Sequence, residues 1–387
     1  MKAIQMTDNI FWVGGIDWDL RNFHGYLTQR GSTYNAYLII DEKITLVDTT
    51  KYYLVDEMLQ RISKVIDPSK IDYVISNHVE MDHSGGLPAV LKAAPNAQVL
   101  CSPKGEQGLK AHYGGEDWNF KIVESGDVLS LGKHSLQFLL TPMVHWPDNM
   151  VAYMPEEKIL FSNDSFGQHI ASSERFDDEF PLEIIVQEAQ KYYANIVLPY
   201  AAQVQKELEA ASKLDIGMIA PSHGLIWKNH IPLIVEKYTQ WASNNTDKKA
   251  VIVYDTMWGS TKKMAQKIQE AFDEKGYRTV FCSLGNWHIS DIMTEVIDAE
   301  YVCVGSPTLN KNMLPTVSSF LTYLKGLAPK NRKTIAFGSY GWGQMSVKQI
   351  QAELESCGMQ ITDSFDLKYI PSQEQLQDIY NRVSEKL

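Results

Sequence analysis

The stretch His78-Val79-Glu80-Met81-Asp82-His83 follows the apolar run Tyr73-Val74-Ile75 and leads into Ser84-Gly85-Gly86. In extended backbone, side chains two apart share a face, so this spacing predicts that His78, Glu80 and Asp82 project together, with a turn bringing His83 alongside. Four ligand-type side chains fall within six residues, between a strand-like run and the apolar segment 87–94. Unpaired charge is costly in such a place, so the pattern points to bound metal rather than to a solvated polar loop.

The stretch resembles the His-x-His-x-Asp-His signature of the metallo-β-lactamase superfamily, with Glu80 standing where the hydrolytic zinc members carry their second His. An oxygen donor in place of an imidazole shifts metal preference towards iron or manganese. That substitution is the first sign of redox chemistry.

The chain has 387 residues, 44% apolar and 21% charged, which suits two soluble globular domains. A formal charge of −11 argues against nucleic-acid binding, which relies on cations against phosphate. The N-terminal region holds only the short apolar piece Ile10-Phe11-Trp12-Val13, with no segment of membrane length, so a cytoplasmic protein with no membrane partner is expected. Cys101, Cys282, Cys303 and Cys357 are scattered without a Cys-x-x-Cys pair, and buried reduced thiols are expected.

Residues 1–247 read as strand-rich in their first half. A hairpin is predicted from 34–40 and 44–48, further strands at 99–101, 136–140, 151–154 and 159–161, and helices at 52–65, 182–195, 203–214 and 231–242. This suggests two sheet layers covered by helices, an α+β sandwich. His145, Asp164 and His223 each lie a few residues beyond an apolar strand, as His78 does, so all could meet along one sheet edge. The superfamily resemblance implies that these three complete a two-metal site. It places His78, Glu80 and His145 on one iron, Asp82, His83 and His223 on the other, and Asp164 between them. Three carboxylates against two divalent ions leave one positive charge, which a bridging hydroxide neutralises.

The polar run 243–249 is expected to be the domain linker, and residues 248–387 the second domain. Strands at 250–254, 279–283, 301–304, 334–337 and 366–370 alternate with helices centred on Met264, Met293, Phe320, Ile350 and Leu376. Such alternation predicts an α/β doubly wound parallel sheet of flavodoxin-like order 2-1-3-4-5. The first strand ends in Asp255-Thr256-Met257-Trp258-Gly259-Ser260-Thr261, immediately before a helix whose free N–H groups suit a phosphate. The loop lacks both Gly-Lys-Ser/Thr and Gly-x-Gly-x-x-Gly, which leaves a monophosphate, and FMN is the natural one. Two further loops, Gly305-Ser306-Pro307-Thr308-Leu309-Asn310 and Gly338-Ser339-Tyr340-Gly341-Trp342-Gly343, close strands three and four at the switch point. Tyr340, Trp342 or Trp258 could stack on a flat ring.

A metallo-β-lactamase-like αββα domain followed by a flavodoxin-like one resembles the flavodiiron proteins over the whole chain. The seven ligand positions match, as do Phe23-His24-Gly25, Thr33-Tyr34-Asn35 and the loop 256–261, while Gln344-Met345 departs from the small residues of relatives. The resemblance implies two non-haem iron ions and FMN in each chain, reduction of O2 to water, of NO to N2O, or both, and a head-to-tail homodimer, single or paired into a dimer of dimers. It implies His24 and Tyr193 as groups that orient substrate or supply protons, with His169 as a further candidate. It also implies electrons from an external donor such as rubredoxin, because no rubredoxin-like module is fused to the sequence. His112, His134, His230 and His288 are expected at the surface. Two rivals remain: a zinc-dependent hydrolase with a regulatory flavin domain, against which Glu80 argues, and a redox sensor or electron-transfer module, against which the complete ligand set argues.

Overall fold

The computed structural model describes residues 2–387, which divide into two compact units: residues 2–192 with Ala202–Thr239, and Tyr193–Ala201 with Gln240–Leu387. In the first unit the expected hairpin forms, with Tyr37–Ile39 antiparallel to Thr45–Val47. These strands stand at the middle of a seven-stranded sheet that runs from Ile4–Gln5 at one edge, through Tyr73–Ile75 and Gln98–Cys101, to Phe120–Ile122 at the other. A five-stranded sheet, from Val128–Ser130 to Met218–Pro221, packs against it.

Period-two alternation decides what each face buries. Tyr37, Ile39, Val47, Ile75 and Leu100 point inward against Phe138, Ala152, Met154 and Phe161 of the second sheet, and together they form the sandwich core. Leu38, Leu46, Val74 and Val99 point the other way and pack under Val55, Met58 and Ile62 of helix Val55–Ile62. The result is the αββα sandwich.

The second unit is a five-stranded parallel sheet in the order second, first, third, fourth, fifth. Its first strand, Asp247–Tyr254, begins inside the run expected to be linker, because Asp247, Lys248 and Lys249 extend the ladder beside Ala299 and Arg278. The fifth strand differs more. It spans Gln360–Lys368, not 366–370, because the alternation of Ile361, Phe365 and Leu367 with polar partners is the pattern of an edge strand with one wet face. Tyr369 and Ile370 therefore fall on the loop beyond it. The helix expected over 182–195 is α-helical only over Leu182–Tyr192 and continues as a π-turn, Tyr193–Val197. All four cysteines are free and buried. Among the described residues, no helix is long and apolar enough to cross a membrane.

Candidate metal centre and flavin crevice

The seven predicted ligands converge, but the backbone divides them otherwise than the extended run suggested. His78 and Glu80 leave strand Tyr73–Ile75 in extended conformation, whereas Met81–Ser84 closes into a helical turn. That turn swings Asp82 and His83 away from the face shared by His78 and Glu80. Two groups result, His78, Glu80, His145 and Asp164 in one and Asp82, His83 and His223 in the other, each with its ligand atoms within 4.8 Å of one another.

Asp164, at the end of strand Ile159–Asn163, faces both groups. Its Oδ2 lies 3.1 Å from His145 Nε2 and 3.8 Å from His78 Nε2, and its Oδ1 lies 3.0 Å from His83 Nε2 and 3.4 Å from His223 Nε2. Glu80 Oε2 is 3.4 Å from both His78 and His145, and Asp82 is 3.4 Å from His83 and 3.3 Å from His223. Ligands about 2.1 Å from a shared ion stand roughly 3.0 to 3.5 Å from each other, so these spacings fit two metal sites joined by one carboxylate. The donors are also buried and unsatisfied: among the described residues, His78 Nε2, His83 Nε2 and both carboxylate oxygens of Asp82 and Asp164 have no hydrogen-bond partner. Buried polar atoms are seldom left so, and a cation is what this set lacks.

The electrostatics agree. Burial opposes charge on the histidines, but contact with Asp164 and Glu80 holds His145 up to about 9, and Asp164 and Asp82 hold His223 up to about 10. Burial likewise opposes charge on Asp164 and Glu80, yet the imidazoles keep both carboxyls below the usual range. This negative field favours any cation placed in it.

Outer groups fix the rings. Asp148 Oδ2 lies 2.9 Å from His78 Nδ1 and accepts the Val79 N–H, while His223 Nδ1 donates to the Thr33 carbonyl at 2.8 Å. Both contacts leave Nε2 as the inward lone pair. Asp48, buried at the end of strand Thr45–Val47, accepts from the backbone and side-chain amides of Asn77 and lies 3.5 Å from both Asn163 Nδ2 and Ser222 Oγ. One carboxylate thus touches the residue preceding each of His78, Asp164 and His223. Sequence reasoning missed Asp48 and Asp148, although Asp48 follows an apolar strand as the ligands do.

Of the second-sphere candidates, His24 reaches Glu80 Oε1 at 3.1 Å while most of its side chain stays exposed. His169 is fully buried, with Nδ1 2.7 Å from Ser32 Oγ and its ring 4.8 Å from that of His223. Burial pushes its pKa well down, so it is neutral. Tyr193 is a correction: the α-to-π change turns it to Trp241 in the second unit, and Tyr192 faces His169 and His223 in its place. Lys51, unremarked in the sequence, lies over the rings of Tyr34 and Phe23 at 4.8 and 5.0 Å. His112 is exposed, and His230 and His288 are partly so, but His134 is buried against Asp41 because strand Ser135–Leu140 begins beside it.

In the second unit, a crevice of about 520 Å³ opens at the carboxyl ends of the strands. Thr256, Met257, Trp258 and Ser260 line it from the first loop, Pro307, Thr308, Leu309 and Asn310 from the third, and Ser339, Tyr340, Gly341 and Trp342 from the fourth. Tyr369 and Ile370 close it from the fifth, unforeseen because the sequence reading placed them inside a strand. Gly259 has φ +86° and opens helix Ser260–Glu274, where the free N–H groups of Ser260 and Thr261 begin. Gly343 and Ser306 adjoin the wall without lining the crevice, and Ser306 is occupied in donating to the Pro307 carbonyl.

The comparisons with known proteins agree with this geometry. Residues 33–224 match the ODP family beta lactamase, and residues 252–382 match flavodoxin. The chain is 44% identical to a nitric oxide reductase of Moorella thermoacetica, covering 98% of this chain and 96% of that one. It is 41% identical to the rubredoxin-oxygen oxidoreductase of Megalodesulfovibrio gigas, covering 100% and 98%. The flavodiiron protein of Giardia intestinalis superposes with a TM-score of 0.97 at 36% identity, covering 100% and 96%. With both domains matched in order and the whole length covered, the chain belongs to the flavodiiron protein family and is an oxidoreductase.

Proposed function

We propose that each chain holds two non-haem iron ions, one on His78, Glu80 and His145 and one on Asp82, His83 and His223, with Asp164 bridging, and FMN in the crevice lined by residues 256–258, 260, 307–310 and 339–342. The reaction is reduction of O2 to water, of NO to N2O, or both. The observation that carries this reading is the split of Asp164, one oxygen towards each ligand group. When bound, the irons supply the gas-binding positions and the flavin supplies electrons, and together they hold the four electrons that O2 needs.

The chain's own residues do the rest. Asp148 and the Thr33 carbonyl orient the histidines, His24 orients Glu80 from the open side, and neutral His169 keeps positive charge away from the second ligand group. Thr256 takes the Gly259 N–H at 3.0 Å and so shapes the loop for a phosphate. Electrons come from an external rubredoxin-type donor. Head-to-tail homodimerisation is supported by exposed aromatics at two rims: Trp18, Tyr52 and Tyr53 in the first unit, and Trp258, Trp342 and Tyr369 in the second. The reading also places the protein in the cytoplasm.

The test is stopped-flow absorbance of the fully reduced protein mixed with NO and, separately, with O2. Rapid flavin reoxidation by either gas is expected and ranks the two substrates. Flavin left reduced by NO and only slowly oxidised by O2, with zinc found on metal analysis, would return the hydrolase.

A further inference from the structure

We propose that Asn35 is the positioning residue of the second ligand group: its amide holds the turn that carries His223 in register with Asp82 and His83. The inference rests on the two-iron reading above and adds the residue that closes one of its two positions. Asp82 and His83 share the helical turn Met81–Ser84 and move together, whereas His223 comes from Pro221-Ser222-His223-Gly224, where strand Met218–Pro221 ends. Registering one with the other takes a link from outside both stretches. The Asn35 backbone N–H donates to the Ser222 carbonyl at 2.8 Å, and its Nδ2 donates to the Pro221 carbonyl at 2.8 Å and the Gly224 carbonyl at 3.0 Å. The carbonyls on either side of His223 thus meet a single residue. Thr33 adds its hydroxyl, which accepts the Gly224 N–H at 2.6 Å. The turn has little freedom to be redrawn, because Gly224 has φ +79° and a Cβ there would collide with Gln168.

The chemistry of the side chain matters as much as its place. A primary amide offers two N–H groups and one acceptor, and Asn35 uses all three, since its Oδ1 accepts the Trp12 indole N–H at 2.8 Å. That bond decides which end of the amide faces the turn. Trp12 is itself held, with the Arg175 and Arg61 guanidinium groups 4.5 and 5.1 Å from its ring; Arg175 donates to the Ser172 carbonyl and Arg61 to that of Gly14. Trp12, Asn35 and His223 are all buried, so water does not readily replace a lost donor. An aspartate at position 35 would fill the same space but present lone pairs to two carbonyls. The turn would shift, and His223 Nε2, now 3.3 Å from Asp82 and 3.4 Å from Asp164, would leave its group while His78, Glu80 and His145 stayed in theirs.

Selective loss of one iron is the signature, because general loosening would release both. We would mix the anaerobically reduced holoprotein with excess ferrozine, follow ferrous iron released over time in the wild type, Asn35→Asp and Trp12→Phe, and locate the iron left behind by anomalous scattering from crystals. Asn35→Asp should release one iron per chain at least about tenfold faster than the wild type, with the other retained between His78, Glu80 and His145 and FMN still bound. Trp12→Phe removes only the N–H that steers the amide, and should speed release of the same iron by about fivefold, the worth of one net hydrogen bond. It decides the matter alone if Asn35→Asp does not fold. Release at the wild-type rate, equal acceleration of both irons, or retained iron found at Asp82, His83 and His223 overturns the proposal. Fewer than two irons in the wild type would instead fault the two-iron reading, a failure distinct from loss of positioning.

Discussion

The two sites of this molecule are built in opposite ways. In the first unit, all seven ligand positions are side chains drawn from four strand ends into a space where Asp82, His83, Asp164 and His223 are each at most 2% exposed. In the second, the walls are loops, and the largest rings, Trp258 and Trp342, are 94% and 96% exposed. A pair of cations needs charged groups that cannot relax away, so that site is locked into the core by Asp48, Asp148 and backbone carbonyls. A flat ring and a phosphate need backbone N–H groups and adaptable edges, which strand-end loops supply at little cost to the fold. The sharpest test of the difference is Asp164→Ala. It should lower gas reduction by about a thousandfold or more, and cut iron content, while FMN remains bound. Metal analysis and flavin absorbance of the same sample check both halves, and retained turnover would break the bridging role.

Locking charge into a core has a pH signature that the exposed crevice should lack. Glu207, on helix Ala201–Ala211, lies buried with its carboxylate met, among the described residues, by the Ser165 hydroxyl at 2.8 and 3.0 Å, one residue from Asp164. Burial raises its pKa from 4.5 to about 7, against the opposing pull of Ser165. The folded protein thus keeps a proton that the unfolded chain has released. Stability from this group is full below about pH 4.5 and is lost as pH rises towards 7, by on the order of 3 kcal/mol. Glu207→Gln keeps the hydrogen bond without the ionisation, so its stability relative to wild type should grow across that interval. Denaturant midpoints at pH 5 and pH 7.5 measure it, and parallel curves would show that water reaches Glu207.

How much of this could be read from the sequence follows the same division. The ligands were legible because strand periodicity and the dense run 78–83 are local signals, and because His145, Asp164 and His223 repeat one position relative to an apolar strand. Their grouping came from the superfamily resemblance and not from the local pattern, which set Asp82 beside His78 and Glu80, since the helical turn Met81–Ser84 depends on tertiary bonds such as Thr49 N–H to the His83 carbonyl. Tyr193 came from the family resemblance, which carries no helical phase; the backbone passes into a π-turn at this point, adjacent residues differ by about 100° in direction, and only one of Tyr192 and Tyr193 can face the histidines. In the second unit, alternation and loop chemistry gave the sheet order and three of the crevice walls. The fourth wall was lost because an edge strand with one wet face carries a weak apolar signal, which shifted strand 360–368 and hid Tyr369.

The smallest expected effect bears on the crevice and separates ligand contact from packing. Trp342 is almost wholly exposed, so Trp342→Ala removes little protein contact and should change unfolding free energy by less than about 0.5 kcal/mol. If its ring lies against the isoalloxazine, losing an aromatic contact worth about 0.5 to 1.5 kcal/mol should weaken FMN binding between twofold and roughly tenfold. Titration of the flavin-free protein by fluorescence gives the affinity, and calorimetry of the same flavin-free variant gives the stability. A buried ring cannot produce that pair of results: Tyr192, 1% exposed among His169 and His223, would lose stability on truncation whether or not a ligand were present. An unchanged affinity for Trp342→Ala would move the stacking role to Tyr340 or Trp258, and an unchanged affinity with lowered stability would mean that the crevice is held together more like the metal centre than its exposure suggests.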